Sequence, residues 1–500
     1  MRAMLRIRAA LCAALICGAA ALAPLQAAQS LPPEVQAALQ RARVPAIALS
    51  VVVQDVGGGR PVLHWRPHEP VNPASLAKLL TTAAALDRLG PAWRWRTPVW
   101  LDGPLRDGVL DGSLVIQGSG DPTLVLERVW LLLRRVQALG VREIRGDIVL
   151  DGTAFAVAEA DPGDFDGEAL RPYNVRPAAL LLNFRSVIYT FVPDAAAGVA
   201  HVVAEPPLAA TVVDASVPLA AGPCGDWRAA LKAGFEAGRT RFAGSYATAC
   251  GEQTWPVADP QPATYDARLL EALWREMGGR LHGRARAGPA PAQARPAFEW
   301  LSPPLAEVVR DINKYSNNLM AQQLFLTLAL QAAPQQPATE EAARALLSQW
   351  MAERSADPGP AGGRAESALP AASAAAQPVL DNGSGLSRHT RISAQQMARL
   401  LLQAYDSPVM SEFMSSLPIT GLDGTLRRSR ATPGQAHLKT GSLRDVNGVA
   451  GYVLSDSGRR YVLVAIVNHP QAGAARPALD ALVDWVAGGG LSPGSPAPAR

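Results

Sequence analysis

Lysine is almost absent from this 500-residue sequence. Only four of its 47 Lys and Arg residues are lysines: Lys78, Lys232, Lys314 and Lys439. A compositional bias towards arginine explains this imbalance most simply, so a lysine that persists can mark a position where arginine cannot act. An arginine side chain does not give up its proton in a protein, whereas a buried lysine can. The lysines are therefore the first candidates for chemistry.

Charged and aromatic residues are also few, at 18% and 6% of the chain, while 48% of the residues are hydrophobic. Glycine (43 residues) and proline (42 residues) together stay well below the roughly 25–30% that is typical of disordered chains. A chain of 500 residues is longer than one hydrophobic core usually serves. The composition therefore indicates a folded protein of more than one unit and excludes a collagen-like or disordered chain.

The first residues have the order of a secretory signal peptide. Three arginines precede an uncharged run over 9–23, which is followed by Pro24 and the small residues Ala27 and Ala28. This order predicts cleavage after residue 27; the alternative, an uncleaved anchor helix, would need about 20 apolar residues. Loss of residues 1–27 removes three arginines and no acidic residue, which lowers the net charge from +4 to +1. We therefore expect a periplasmic protein with no stable membrane anchor and no nucleic-acid partner.

Cysteine is rare as well, with four residues, two of which lie in the predicted signal peptide. The other two, Cys224 and Cys250, predict a disulfide in an exported protein, and the loop that it closes would stabilise the fold by about 3–3.5 kcal/mol. The alternative is a pair of buried free thiols. The seven histidines are scattered, none lies between these cysteines, and there is no His-Glu-x-x-His, phosphate-loop or dinucleotide motif. We therefore expect neither a metal nor a cofactor.

Hydrophobic periodicity divides the chain into two outer parts, 30–94 and 294–487, and a middle part, 95–293, of different character. In the outer parts we predict strands at 47–54, 61–65, 449–454 and 461–468, and helices at 76–89, 305–330, 340–351, 393–405 and 477–486. The middle part has short β-like runs with helices near 123–139 and 265–277, and we interpret it as an insertion of one or two β-rich lobes into one discontinuous domain. Residues 352–378 predict a flexible Ala/Pro loop, and residues 488–500 predict a disordered tail.

The first candidate catalytic element is Ser75-Leu76-Ala77-Lys78, at the start of a predicted helix. A spacing of three places the lysine one turn from the serine on the same helix face. A serine hydroxyl is a poor nucleophile until a base removes its proton, and a lysine with a depressed pKa can be that base. Alone, a Ser-x-x-Lys pair is a weak signal because it occurs by chance in many chains.

The second element is Ser316-Asn317-Asn318, which follows Lys314 and Tyr315 and precedes an apolar helix. On its own this triplet favours a simple helix N-cap, because serine and asparagine commonly supply one.

The third element is Lys439-Thr440-Gly441-Ser442, before an apolar strand. Here the lysine would supply a positive field, the glycine would allow close approach of the backbone, and the two hydroxyls would bind an anionic group of a substrate. Three of the four lysines thus lie in or beside three ordered elements, and that order resembles the trio of motifs of penicillin-binding proteins and β-lactamases.

More closely, the chain resembles the S13 family of penicillin-binding proteins, the D-alanyl-D-alanine carboxypeptidase/endopeptidases of the penicillin-binding-protein-4 type. The resemblance extends from the strands before Ser75 to the strand that ends near Asn468. Besides the trio it includes the segments Gly118–Pro122, Ile312–Asn318, Asp381–Arg388, Gly421–Leu426 and Val446–Tyr452.

The resemblance implies an α/β fold of the α+β type. This is a penicilloyl-serine transferase domain, like that of β-lactamases and transpeptidases, in which an antiparallel sheet is flanked by helices and interrupted by inserted β-rich domains. It also implies peptidoglycan peptides and β-lactams as partners, a homodimer as an option, and no cofactor. Carried over by position, the catalytic residues are Ser75, Lys78, Ser316, Asn318 and Lys439, and the substrate-binding residues are Thr440, Gly441 and Ser442.

Two other functions remain open at this point. Tyr315-Ser316-Asn317 also spells Tyr-x-Asn, the second motif of class C β-lactamases, although an insertion of about 200 residues has no purpose in a compact β-lactamase. A non-catalytic wall-binding protein is the second alternative; it predicts the loss of a chemical residue, yet all five are present.

Overall fold

The structure, a computed structural model, describes residues 30–59, 61–356 and 377–489. The predicted signal peptide (1–27), most of the predicted loop (352–378) and nearly all of the predicted tail (488–500) lie outside these ranges.

The α-helices of the described residues are α1 (Pro33–Arg41), α2 (Lys78–Leu89), α3 (Leu126–Ala138), α4 (Trp227–Ala230), α5 (Pro262–Glu276), α6 (Leu305–Tyr315), α7 (Asn318–Ala332), α8 (Glu340–Ala356), α9 (Ala394–Tyr405), α10 (Met410–Ser415) and α11 (Arg476–Ala487).

The strands are β1 (Leu49–Asp55), β2 (Leu63–Trp65), β3 (Arg96–Asp102), β4 (Leu105–Arg106), β5 (Val109–Leu110), β6 (Ser113–Gln117), β7 (Glu143–Ile144), β8 (Ile148–Asp151), β9 (Ser186–Asp194), β10 (Val199–Glu205), β11 (Val212–Val213), β12 (Ser216–Ala220), β13 (Ala233–Glu236), β14 (Arg239–Phe242), β15 (Tyr246–Ala247), β16 (Gln253–Ala258), β17 (Arg280–Leu281), β18 (Ala285–Ala287), β19 (Phe298–Leu301), β20 (Ala436–Leu443), β21 (Val446–Leu454) and β22 (Arg460–Asn468).

One five-stranded antiparallel sheet, in the order β2-β1-β22-β21-β20, combines strands from both outer parts of the chain. Along β22, Val464 and Ile466 belong to a core that includes residues of α2, α7 and α9, whereas Leu463 and Val467 belong to a core that includes residues of α1 and α11. Side chains alternate between the faces of a strand, so a continuous apolar run is what burial on both faces requires. The predicted antiparallel sheet flanked by helices is confirmed.

The middle part of the chain has its own hydrophobic core and four sheets. Two of them, β18-β8-β6-β3-β19 and β17-β7-β5-β4, contribute to this core together with α3 and α5. The other two, β15-β12-β10-β9-β16 and β11-β14-β13, surround an aromatic cluster that includes Phe191, Phe242 and Tyr246. β19 pairs with β3 and forms one edge of the sheet β18-β8-β6-β3-β19. This strand begins after residue 293, where we predict that the insertion ends.

The helical pattern predicted over 305–330 forms two helices, α6 and α7, and the break between them lies at the Ser316-Asn317-Asn318 triplet, which on its own favours a helix N-cap. Ser316 ends α6 in the left-handed conformation, with φ of 57°. Asn317 then caps α7, and its side chain accepts a hydrogen bond from the Met320 N–H. Apolar residues continue at helical spacing on both sides, so periodicity alone does not reveal a break of two residues.

Helix α8 reaches Ala356, five residues into the loop predicted over 352–378. Near its end, Trp350 Nε1 donates a hydrogen bond of 2.8 Å to Asp87 of α2, and Arg354 pairs with the same carboxylate. These contacts hold the last turns of α8 against α2, which corrects the start of the predicted loop. Its residues 357–376 lie outside the described ranges.

Within residues 30–59, 61–356 and 377–489, no helix combines the length and the apolar character that crossing a membrane requires.

Cys224 and Cys250 form a disulfide, as predicted. The bond spans a sequence separation of 26 residues and encloses Trp227 and Tyr246 of the aromatic cluster, whose rings lie 6.0 Å apart. We infer that it stabilises this lobe rather than the five-stranded sheet.

Replacing both cysteines (Cys224→Ser with Cys250→Ser) should lower the unfolding free energy of the lobe by about 3–3.5 kcal/mol, because the unfolded loop regains its entropy. Urea unfolding followed by tryptophan fluorescence measures the change, and wild-type protein with reductant should reproduce the curve of the variant. Coincident curves for the variant and the oxidised wild type would contradict the assignment.

Candidate active site

Ser75 lies in a short 3-10 turn, Ala74–Ala77, that leads directly into α2. Asn72 holds this turn: its Oδ1 accepts the Ala74 N–H at 2.9 Å, and its backbone N–H and C=O bond the side chain of Asn468 at 2.8 and 2.9 Å. Ala74 has a φ of 48°, a left-handed conformation that costs about 1–3 kcal/mol for a residue with a Cβ. The nucleophile candidate is therefore held on a strained and firmly bonded turn.

Lys78 is fully buried, and its Nζ has three oxygen neighbours. They are Ser75 Oγ at 3.0 Å, Asn318 Oδ1 at 2.6 Å and the Ser384 carbonyl oxygen at 2.6 Å. The last two are carbonyl oxygens, which only accept hydrogen bonds. A neutral amine has two N–H bonds and one lone pair. It therefore donates to Asn318 and Ser384, and its lone pair faces the hydroxyl of Ser75.

Burial lowers the pKa of Lys78 well below 10.5, and the ammonium of Lys439 lowers it further. The physical cause is the loss of hydration of a charged group in a closed interior, reinforced by repulsion between like charges. Both effects favour the neutral amine, which is the form that a general base needs.

Lys439 on β20 is the second buried lysine of the site. Its Nζ lies 2.8 Å from Ser316 Oγ and donates to the Thr440 carbonyl oxygen at 2.8 Å. Burial lowers the pKa of Lys439 to about 7. Lys439 therefore exchanges its proton near neutral pH while it contacts a hydroxyl, so Lys439 and Ser316 form a second pair that can transfer a proton.

The break between α6 and α7 directs Ser316 and Asn318 to different lysines. The helix cap, the simple explanation of this triplet, does exist, but only Asn317 serves it. Ser316 contacts Lys439, and Asn318 contacts Lys78. The two residues on either side of the cap thus contact the two buried lysines.

β20 is an edge strand of the five-stranded sheet. The Leu438 N–H donates away from the sheet, to the Pro418 carbonyl oxygen at 2.8 Å. Alternate residues of a strand direct their N–H groups to the same side, so those of Thr440 and Ser442 also point away from β21. Unpaired backbone donors at a sheet edge are suited to hold an oxyanion.

Gly441 brings this edge against the turn of the nucleophile. A Cβ at this position would lie 2.6 Å from the Pro73 carbonyl oxygen and 3.3 Å from the Leu76 nitrogen. Only glycine therefore allows β20 to lie directly beside Ser75, as the sequence predicts.

Contacts of the 419–425 segment with β20 and α6 also support the site. Thr440 Oγ1 lies 2.7 Å from Thr425 Oγ1. Lys314, the third lysine near the motifs, pairs with Asp423 at 2.5 Å, and Asp423 also accepts the Ile419 N–H. Lys314 thus holds the 419–425 segment in place and does not reach the reacting groups.

Sequence reasoning assigned no role to the segment 381–388, although it belonged to the resemblance. In the structure the Gly383 carbonyl oxygen accepts from Thr81 at 2.7 Å, and the Ser384 carbonyl oxygen accepts from Lys78. Asn382 shapes the loop by accepting from the N–H and the hydroxyl of Ser384. The sequence signal for this loop is the pair of glycines on either side of Ser384, Gly383 and Gly385, both of which have a positive φ.

Gly441→Ala should slow acylation of Ser75 by on the order of 100-fold, because the new methyl group displaces the turn of the nucleophile and such misplacement has a cost of this size. The rate of labelling by a fluorescent penicillin measures the effect. Gly234→Ala is the matched control, since Gly234 also lies in a strand but has nothing within 4 Å of its virtual Cβ. Equal rates for the two variants would contradict the role of Gly441.

Known proteins match this chain over most of its length. The profile of the D-Ala-D-Ala carboxypeptidase 3 (S13) family matches residues 31–360 and 364–488. A D-alanyl-D-alanine carboxypeptidase of Actinomadura sp. is 28% identical over 466 residues, 88% of this chain and 81% of that protein.

Among solved structures, penicillin-binding protein 4 of Haemophilus influenzae matches with a TM-score of 0.70 at 21% identity, over 90% of this chain and 99% of that chain. A penicillin G-acylated predatory endopeptidase of Bdellovibrio bacteriovorus matches with a TM-score of 0.50 at 15% identity, over 88% of this chain and 91% of that chain. The family match covers most of the chain and confirms the resemblance: this chain belongs to the D-Ala-D-Ala carboxypeptidase 3 (S13) family of serine peptidases.

Proposed function

We propose that the chain cleaves the D-Ala-D-Ala and cross-link bonds of peptidoglycan stem peptides through an acyl-enzyme on Ser75. The single observation that carries the proposal is the position of Lys78 Nζ, between two carbonyl acceptors and the hydroxyl of Ser75. The names of the relatives, which include carboxypeptidases and an endopeptidase, support the substrate class.

In the first step Ser75 Oγ attacks the carbonyl carbon of the penultimate D-Ala, and Lys78 Nζ takes the hydroxyl proton. The negative charge that develops on the carbonyl oxygen is held by the backbone N–H groups of Ser75 and Ser442. In other hydrolases one such donor lowers the activation free energy by about 2.7–4 kcal/mol. The edge position of β20 supports this role for Ser442.

In the second step the C–N bond breaks, and the leaving amine takes a proton from Ser316, which Lys439 reprotonates. A pKa of Lys439 of about 7 suits this exchange, because a proton relay works best with a pKa near the pH of operation. Asn318 would orient the peptide, and Thr440 and Ser442 would bind the carboxylate of the leaving residue. Lys78 then passes the proton that it took from Ser75, through solvent, to the neutral amine of Lys439, so that both lysines return to their starting forms. Water attacks the ester and gives a proton to Lys78, and Lys78 returns this proton to Ser75 Oγ as the acyl–oxygen bond breaks.

The geometry disfavours the class C β-lactamase alternative. The Tyr-x-Asn register would place Tyr315 and Asn317 in the site, yet the side chain of Tyr315 is 63% exposed and Asn317 is occupied as a helix cap. In the Ser-x-Asn register, Ser316 and Asn318 contact the two buried lysines. A non-catalytic wall-binding role is also disfavoured, because the catalytic set is complete and closely packed.

We further propose that the protein acts in the periplasm after cleavage of residues 1–27, with no stable membrane anchor. The support is the order of residues at the N-terminus and the bacterial cell-wall enzymes among its relatives. A homodimer stays a prediction.

Penicillin labelling tests the nucleophile and the base together. The wild type should gain one long-lived adduct, mapped by mass spectrometry to Ser75, and Ser75→Ala should gain none.

Lys78→Arg should acylate at least 1000-fold more slowly, because arginine keeps the charge but does not accept a proton. Lys232→Arg is the matched control, in a lobe distant in sequence from the motifs. An adduct elsewhere, or normal acylation of Lys78→Arg, would overturn the mechanism, and release of the adduct within seconds would support a β-lactamase.

The pH dependence of acylation tests the state of Lys78. Because burial lowers the pKa of Lys78, the neutral base forms well below pH 10.5, so the acylation rate should rise with pH and reach a plateau before that value. Stopped-flow labelling at constant ionic strength gives the profile. A rate that still rises tenfold per pH unit between pH 9 and 10 would show an ordinary lysine and contradict the proposal.

A further inference from the structure

An open cleft of about 480 Å³ lies beside the catalytic residues. Its lining includes Tyr315, Leu422 and Thr425 and three arginines, Arg427, Arg428 and Arg476. Pockets that bind organic ligands commonly have volumes of roughly 300–1,000 Å³. The cleft is therefore large enough to hold part of a peptide.

The cleft is positively charged. Among the described residues, none of its three guanidinium groups has an ion-pair partner. The carboxylate that also lines the cleft, Asp423, is paired with Lys314. The arginines thus present uncompensated positive charge to whatever enters, and guanidinium groups bind carboxylates through paired hydrogen bonds.

The cleft lies next to the residues that we propose bind and protonate the leaving group. Tyr315 directly precedes Ser316, the residue proposed to protonate the leaving amine. Thr425 Oγ1 lies 2.7 Å from Thr440 Oγ1, part of the proposed carboxylate site. A leaving group that is held at Thr440 and protonated by Ser316 would therefore have its remaining atoms next to Tyr315 and Thr425, at the edge of this cleft.

The size of the cleft distinguishes two reactions. When a pentapeptide is trimmed, the leaving group is free D-Ala, whose only further substituent is a methyl group, so the cleft stays empty. When a cross-link is cut, the leaving group is a second stem peptide with carboxylates of its own. We infer that the cleft lined by Arg427, Arg428 and Arg476 binds this acidic leaving strand and directs the enzyme towards cross-linked substrates. This inference rests on the proposed function of the Ser75 site.

Three substrates separate the effects: a pentapeptide ending in D-Ala-D-Ala, a cross-linked peptide dimer, and the same dimer with the distal carboxylates of its leaving strand amidated. The variants are Arg427→Ser with Arg428→Ser, and Arg476→Ser. The matched control is Arg241→Ser, because Arg241 is also an exposed arginine but lies on β14. The readout is the ratio of kcat/KM for dimer cleavage to kcat/KM for D-Ala release, with penicillin acylation as the check that Ser75 remains reactive.

In the double variant this ratio should fall roughly tenfold, mainly through KM, because two partly exposed charge-assisted contacts are lost. Amidation should lower the ratio by a similar factor in the wild type and have little further effect in the double variant. Higher ionic strength should raise KM for the dimer more than for the pentapeptide.

A ratio in the double variant equal to that of Arg241→Ser, or a wild type indifferent to amidation, would overturn the inference and leave the proposed function intact. A wild type that neither releases D-Ala nor cleaves the dimer would overturn both.

Discussion

The active site depends on one buried amine. Lys78 has no exposed surface, and its Nζ contacts two carbonyl oxygens and one hydroxyl. Burying an ammonium group without a carboxylate partner is costly, so the protein relieves that cost by favouring the neutral amine, and the neutral amine is the base that Ser75 requires. The same burial that penalises the charge therefore favours the form of Lys78 that the proposed mechanism needs.

Four separate stretches of chain meet around that amine. The turn before α2 carries Ser75, the break between α6 and α7 supplies Asn318, the 382–385 loop supplies a carbonyl oxygen, and β20 contributes Lys439. Three of them use an irregular backbone: left-handed φ at Ala74 and Ser316 and positive φ at Gly383 and Gly385. Such strain persists only where the surrounding packing enforces it, and here the helices and the five-stranded sheet provide that packing.

Much of this arrangement could be predicted from the sequence. The three motifs and the scarcity of lysine predicted the candidate catalytic residues that the structure brings together, and the apolar strands predicted the sheet, because these features depend on residue type and spacing. Periodicity alone does not reveal the break at Ser316, since the apolar pattern runs through both helices; only the cap-forming residue types of the Ser316-Asn317-Asn318 triplet indicate it. The role of Ser384 was also missed, because it contributes a backbone oxygen, which any residue could supply. The cleft with Arg427 and Arg476 joins positions about 50 residues apart, and no local pattern in an arginine-rich chain distinguishes these arginines from the others.

The charge state of Lys78 is the central claim, and the composition makes it directly measurable. The chain has only four lysines, so protein labelled with ¹⁵N,¹³C-lysine gives at most four side-chain signals, and Lys78→Arg identifies one of them by its loss. Because burial lowers the pKa of Lys78, titration of that signal by NMR should show that the amine loses its proton well below pH 10.5. An ammonium signal for Lys78 that persists to pH 10 would contradict the account.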